Sequence, residues 1–192
     1  MNKIQYILIG IGIIISIMFI TSQTTWYKNS KVSSVISKLS EIKIAEFNTE
    51  LPEEMPKDIV MHYTYSEGML PHSDEIHITL DSQTYTYTRE GMDFNEEGIR
   101  ERVINMNVTP EEIETIYLQL KRYGFDKIET EKEDDITYDS GTLRIYMSYK
   151  SGDDEVFIDV HDSGSEHVKE DSRGQWQASL QIFRGLVEVY GK

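Results

Sequence analysis

Asp139-Ser-Gly-Thr142 and Asp162-Ser-Gly-Ser165 repeat one short string: an aspartate, a hydroxyl residue, a glycine and a second hydroxyl residue. Two such aspartates held face to face could share a proton and activate water, because adjacent carboxylates cannot both ionise. That chemistry needs two lobes meeting, each loop seated on an apolar strand. Here the strings lie 23 residues apart, and no apolar strand precedes Asp139. Asp-Ser-Gly is also ordinary turn composition, and turns are what the sequence predicts at both places.

His161, Asp162, Glu166 and His167 stand close in sequence, and Asp159 shares the strand face of His161. Such groups hold divalent metals or polarise water, so a metal-assisted hydrolase is one reading of the chain. Their spacing matches neither the paired histidines of a helical zinc site nor a calcium loop with its central glycine. The acidic stretches Glu129–Asp135 and Asp153–Glu155 lack alternating ligands as well. There is no phosphate-binding glycine loop, nucleophile elbow or dinucleotide fingerprint, so no cofactor and no catalytic residue is assigned. The chain has no cysteine, which excludes disulfides, thiol catalysis and cysteine-bound zinc. Its 34 acidic residues against 19 basic ones give a net charge of −15. That balance argues against nucleic acid and favours a basic protein partner.

A different set of residues reads as a surface. His77, Thr86, Arg144, Tyr146, Phe157, Asp159 and His161 alternate with apolar residues along the strands of two hairpins, which places them on the sheet face turned from the helices. Aromatic residues and arginine are enriched where proteins meet, so these seven form the candidate binding face. The plainer alternative is a solvated face, with Tyr146–Asp159 and Arg144–Asp159 as ordinary cross-strand pairs.

Periodicity supplies the elements that must hold this face. Ile59–Ser66 reads as a strand. Glu75–Asp81 and Thr84–Thr88 read as a hairpin turning at Ser82-Gln83, with Leu80 opposite Tyr85 and Ile78 opposite Tyr87. Ile99–Val108 adds a weaker strand. Leu143–Lys150 and Glu155–His161 form a second hairpin that sets Lys150 opposite Glu155, and Tyr149, Met147 and Ile145 opposite Val156, Ile158 and Val160. Thr109, Pro110 and Glu112 start a helix that Gly124 stops, its buried stripe being Ile113, Ile116, Tyr117, Leu120 and Tyr123. Trp176, Leu180, Phe183, Val187 and Tyr190 mark a second helix from about Gln175 to Tyr190. Gly164–Gly174 reads as a long polar loop. The order implies an α+β domain: an antiparallel sheet with both helices packed on one face.

Before that domain, Ile4–Tyr27 runs 24 residues without a charge. The apolar part and the following Thr21–Thr25 are long enough to span a bilayer as a helix. The first alanine is Ala45, so no A-x-A cleavage site ends the run, and Trp26 and Tyr27 fall where an interfacial belt belongs. The division expected is thus a transmembrane helix over 1–27, a juxtamembrane helix (Val32, Val35, Leu39, Ile42) with a two-proline linker over 28–56, and an acidic domain over 57–192. Lys3 favours a cytoplasmic N-terminus, whereas Lys28, Lys31 and Lys38 weigh the other way. A long acidic domain translocates largely regardless of such charges, which places it outside the cytoplasm.

Together these features describe a single-pass, membrane-anchored extracytoplasmic binding module. Its partner would be a basic enzyme or toxin, neutralised in the manner of an immunity protein. A structural or sensory component of an envelope complex is a third reading. An alkaline phosphatase fused after Lys192 is expected to be active in cells; a stable but inactive fusion would put the domain in the cytoplasm.

Overall fold

The computed structural model describes residues 34, 47–68, 72–90, 99–132 and 141–191. The Ile4–Tyr27 run and the Val32–Ile42 stripe lie outside the described residues. Among the described residues no helix is long and apolar enough to cross a membrane.

The fold is α+β. Strands β1 (Val60–Ser66), β2 (His72–Ile78), β3 (Gln83–Glu90) and β4 (Ile99–Asn105) form an antiparallel meander. Helix α1 (Pro110–Arg122) follows, then the short strand β5 (Thr130–Lys132). The hairpin of β6 (Thr142–Ser151) and β7 (Asp154–Asp162) returns to the meander and pairs through β6 with β1. The six-stranded sheet therefore runs β4-β3-β2-β1-β6-β7. After β7 come β8 (Glu166–Val168), which pairs with β5 in a two-stranded ribbon, and helix α2 (Arg173–Tyr190).

One face of the sheet builds the core. Met61, Tyr63, Ile76, Ile78, Tyr85, Ile145, Met147, Tyr149 and Val160 are buried in a single cluster with the apolar stripes of both helices. The Tyr63 and Phe183 rings stack with centroids 5.4 Å apart, an arrangement that adds to plain burial. All five stripe residues of α1 are buried. On α2 the stripe is wider than the sequence pattern suggests: Ile182, Leu186 and Val189 are buried as well, and Val187 is only half-buried.

The β6–β7 register agrees with the pairing read from charge and apolar match: Lys150 faces Glu155 and Met147 faces Ile158. The β2–β3 register does not. Ile78 pairs with Gln83 and Ile76 with Tyr85, four residues from the expected partners. An even shift keeps every side chain on its face, so alternation could not detect it. Turn chemistry decides instead: the chain reverses over Thr79–Ser82. There the Ser82 N–H donates to Thr79 Oγ1 at 2.9 Å, and Gln83 Nε2 donates to the carbonyls of Thr79 and Leu80. The stretch Gly164–Gly174 is not a bare loop either. It holds β8, a one-turn 3-10 helix over Glu170–Ser172 and the first residues of α2.

Helix α1 begins with a reciprocal cap, in which Thr109 Oγ1 accepts from the Glu112 N–H and Glu112 Oε2 accepts from the Thr109 N–H. Residues 47–52 lie along its far end. Thr49 Oγ1 donates to Asp126 at 2.6 Å, and Tyr117 Oη and Lys121 Nζ both donate to the Pro52 carbonyl. Gly124 makes this docking possible. It sits at φ 63°, and a Cβ there would meet Phe47 Cβ at 2.7 Å and the Gln175 amide at 2.9 Å. Gly152, in the β6–β7 turn, has a similar φ of 67° but open space around it. Gly124→Ala should therefore destabilise the full-length protein by more than ~2 kcal/mol and Gly152→Ala by ~1 kcal/mol, as read from urea unfolding midpoints. Equal losses would mean that the Phe47 contact contributes nothing.

Candidate functional site

The second face of the sheet carries all seven candidate residues. Strand β1 lies at the centre and brings the two hairpins into register. His62 is opposite His77 on β2 and Tyr146 on β6, and these continue to Thr84 and Asp159. The next row runs Thr86, Glu75, Thr64, Arg144, His161. Phe157 lies outward of Ser148. Thr79, two residues beyond His77, belongs to the turn after β2.

Asp159 is the most engaged group on the face. Arg144 grips it with two parallel bonds, Nε to Oδ1 at 2.9 Å and Nη2 to Oδ2 at 2.7 Å. His161 Nε2 is 3.0 Å from Oδ1. Partial burial opposes ionisation of Asp159, but the Arg144 and His161 hydrogen bonds outweigh it and hold the carboxyl below the usual carboxylate range. The same bond raises the Arg144 guanidinium further. Its guanidinium carbon stands 5.9 Å from the Tyr146 ring centroid, and Tyr146 lies 6.1 Å from Phe157. Phe157 is 58% exposed, and at the far side of the sheet Val103 is 57% exposed.

The sequence reading missed His62 and Glu75. His62 Nε2 is 2.7 Å from Glu75 Oε1, and its ring meets His77 edge-on at 5.9 Å. Burial, and then the neighbouring His62, lower the His77 imidazole below its ordinary value, against the pull of Glu75. The signal for His62 was present, since it alternates with Met61 and Tyr63, but no local pattern says which strands flank β1.

A polar cluster on the core face was also missed. Asp74 is only 7% exposed and accepts the Tyr85 hydroxyl at 2.5 Å. His72 Nε2 lies 3.4 Å from the other Asp74 oxygen, within ion-pair reach but off hydrogen-bond geometry, so that buried nitrogen has no hydrogen-bond partner. Glu67, Tyr65 and Tyr87 surround the same imidazole. Burial first, then the Asp74 bond and charge, push the Tyr85 hydroxyl well up. Burial also pushes Tyr63 up to about 12, although Arg184 pulls the other way. The sequence sign was on β2, whose inward positions change from Ile78 and Ile76 to Asp74 and His72.

The remaining chemistry-bearing strings resolve into structure. Asp162 Oδ2 accepts the Trp176 indole N–H at 3.2 Å, and Ser163 and Glu166 close the turn after β7. Asp162 thus ties β7 to α2, while Asp139 lies outside the described residues. Glu129 meets Lys169 at 2.6 Å beside the β5–β8 ribbon. Among the described residues, no three histidine, aspartate or glutamate side chains stand close enough to hold a metal ion.

Comparison with protein-family models, curated proteins and solved structures finds no match for this chain. Chemically, the outer face offers an ordered arginine–carboxylate pair beside two aromatic rings, and two histidines against a glutamate.

His77 should titrate below the ordinary 6.5 of a histidine, and His62→Gln should raise its midpoint without restoring it, because burial remains. Proton NMR of the imidazole signals reads both. The linkage has a definite sign. A depressed histidine leaves stability intact above pH 6.5 and removes it as pH falls towards the folded-state value, since the unfolded chain binds the proton first.

Proposed function

We propose that this chain is a binding module, held at a membrane by Ile4–Tyr27, whose outer sheet face engages a basic protein outside the cytoplasm. The observation that carries the proposal is Phe157, more than half exposed beside Tyr146 and the Arg144–Asp159 pair. Phe157, Tyr146 and Arg144 lie together rather than singly, and aromatics with arginine are the residues on which binding energy concentrates. Arg144 is already clamped by Asp159, so less side-chain freedom is lost when a partner docks.

Charge supports the choice of partner. A body of net charge −15 steers a basic molecule towards itself and repels an acidic one. Neutralising a basic enzyme or toxin at the cell surface, as an immunity protein would, fits this surface; that step is an analogy from architecture and charge.

Crosslinking in cells, followed by purification through a C-terminal tag, should recover a basic protein together with the full-length chain. Capture should weaken as salt rises, and Tyr146→Ala should lower it at least ~10-fold while the variant stays folded at the temperature of the assay. Capture indifferent to both salt and Tyr146 would remove the outer face from the function.

A further inference from the structure

We infer that the open edge of β7 is where the basic partner inserts an extended, lysine- or arginine-bearing segment as a seventh strand of the sheet. The inference rests on the binding proposal above and adds the mode of recognition. Among the described residues, strand β7 ends the sheet and pairs only with β6. In an antiparallel ladder, alternate residues of an end strand turn N–H and C=O groups to the open side, which makes the strand a template for another chain. Edges are ordinarily guarded by charge, lysine above all, or by proline; Asp154–Asp162 has no lysine or proline, and its carboxylates repel an acidic strand while attracting a basic one.

Side chains on both faces of this edge fit an added strand. Val156 and Ile158, on the core side, are only partly buried, while Phe157 on the outer side is exposed. A strand laid alongside would be the cross-strand neighbour of all three. The turn closed by the Ser163 N–H to the Glu166 carbonyl at 2.8 Å brings β8 back beside the far end of β7. Among the described residues no strand pairs with the other side of Asp154–Asp159, a stretch that matches about six residues of a partner, some 20 Å at ~3.3 Å per residue.

Charge selects the occupant. The turn and first residue pairs of the hairpin carry Asp153, Asp154 and Glu155 against the single base Lys150, which already faces Glu155. A basic segment meets attraction there. A second copy of this chain would meet the same carboxylates and a body of equal charge, −15. The opposite edge, β4, runs Arg100-Glu101-Arg102, a charged stretch of the kind that blunts an edge, and its arginines oppose a basic strand. Phe157 and Asp159 belong to both β7 and the outer face, so a strand added here extends that face without a break.

The probe is a blocked nine-residue peptide alternating lysine and valine, added to the full-length protein. Hydrogen–deuterium exchange should slow at amides in Asp154–Val160. Two N-methylated versions, one blocked at every lysine nitrogen and one at every valine nitrogen, separate pairing from plain charge attraction. Edge pairing uses only one side of the peptide, so one version should bind at least ~10-fold more weakly and the other like the parent. If both versions bind like the parent, or slowed exchange maps elsewhere, edge pairing is overturned. The outer-face proposal is judged separately by Tyr146→Ala, because the Tyr146 backbone is paired between β1 and β7 and offers no hydrogen bond to the edge.

Discussion

Strand β1 pairing with β6 is the contact on which the rest of the structure depends. It joins Val60 to Ser148 and Ser66 to Thr142, across the meander, α1 and the β5 ribbon. Closing a loop of some eighty residues costs about 4 kcal/mol in chain entropy. Met61, Tyr63, Ile145 and Met147 lie on the inner side of that pair and are almost wholly buried. Their burial, worth roughly 1.5–3 kcal/mol each, works against that closure cost.

The same pairing creates the outer face. Apart from it, His77 and Glu75 belong to one hairpin and Arg144, Tyr146, Phe157, Asp159 and His161 to another. With β1 between them, His62 bridges the halves. Because both helices contribute to the core on the inner side, the outer side keeps Phe157 exposed. Two carboxylates that enter the core side are tied down: Asp74 accepts from Tyr85, and Asp162 accepts from Trp176. Those bonds offset the cost of removing a carboxylate from water.

Legibility followed the range of the interaction. The β6–β7 register was readable because oppositely charged and apolar partners lie a few residues apart and only one alignment satisfies them all. The α1 cap was readable for the same reason, being a contact over three residues. In β2–β3 the alternation allowed two registers, and hydrogen bonds of Thr79, Ser82 and Gln83 chose between them. Strands β5 and β8 have three residues each, too few to show any period. His72 and Asp74 broke the apolar pattern of β2 visibly, yet only Tyr85 on the neighbouring strand explains why a buried carboxylate is tolerated.

What the amino-acid order determined by itself is the set of local elements: the helix starts and stops, the alternation that sends each strand residue inward or outward, the acidic character of the chain, and the uncharged run at its start. These rest on propensity, capping and charge, which act over a few residues or on composition alone. The tertiary structure alone decided that β1 lies between β2 and β6, that His62 and Glu75 join the outer face, that residues 47–52 dock against α1, and that β7 is left as an edge. Each of those results from burying apolar area between segments far apart in the chain. No short stretch of sequence records that balance.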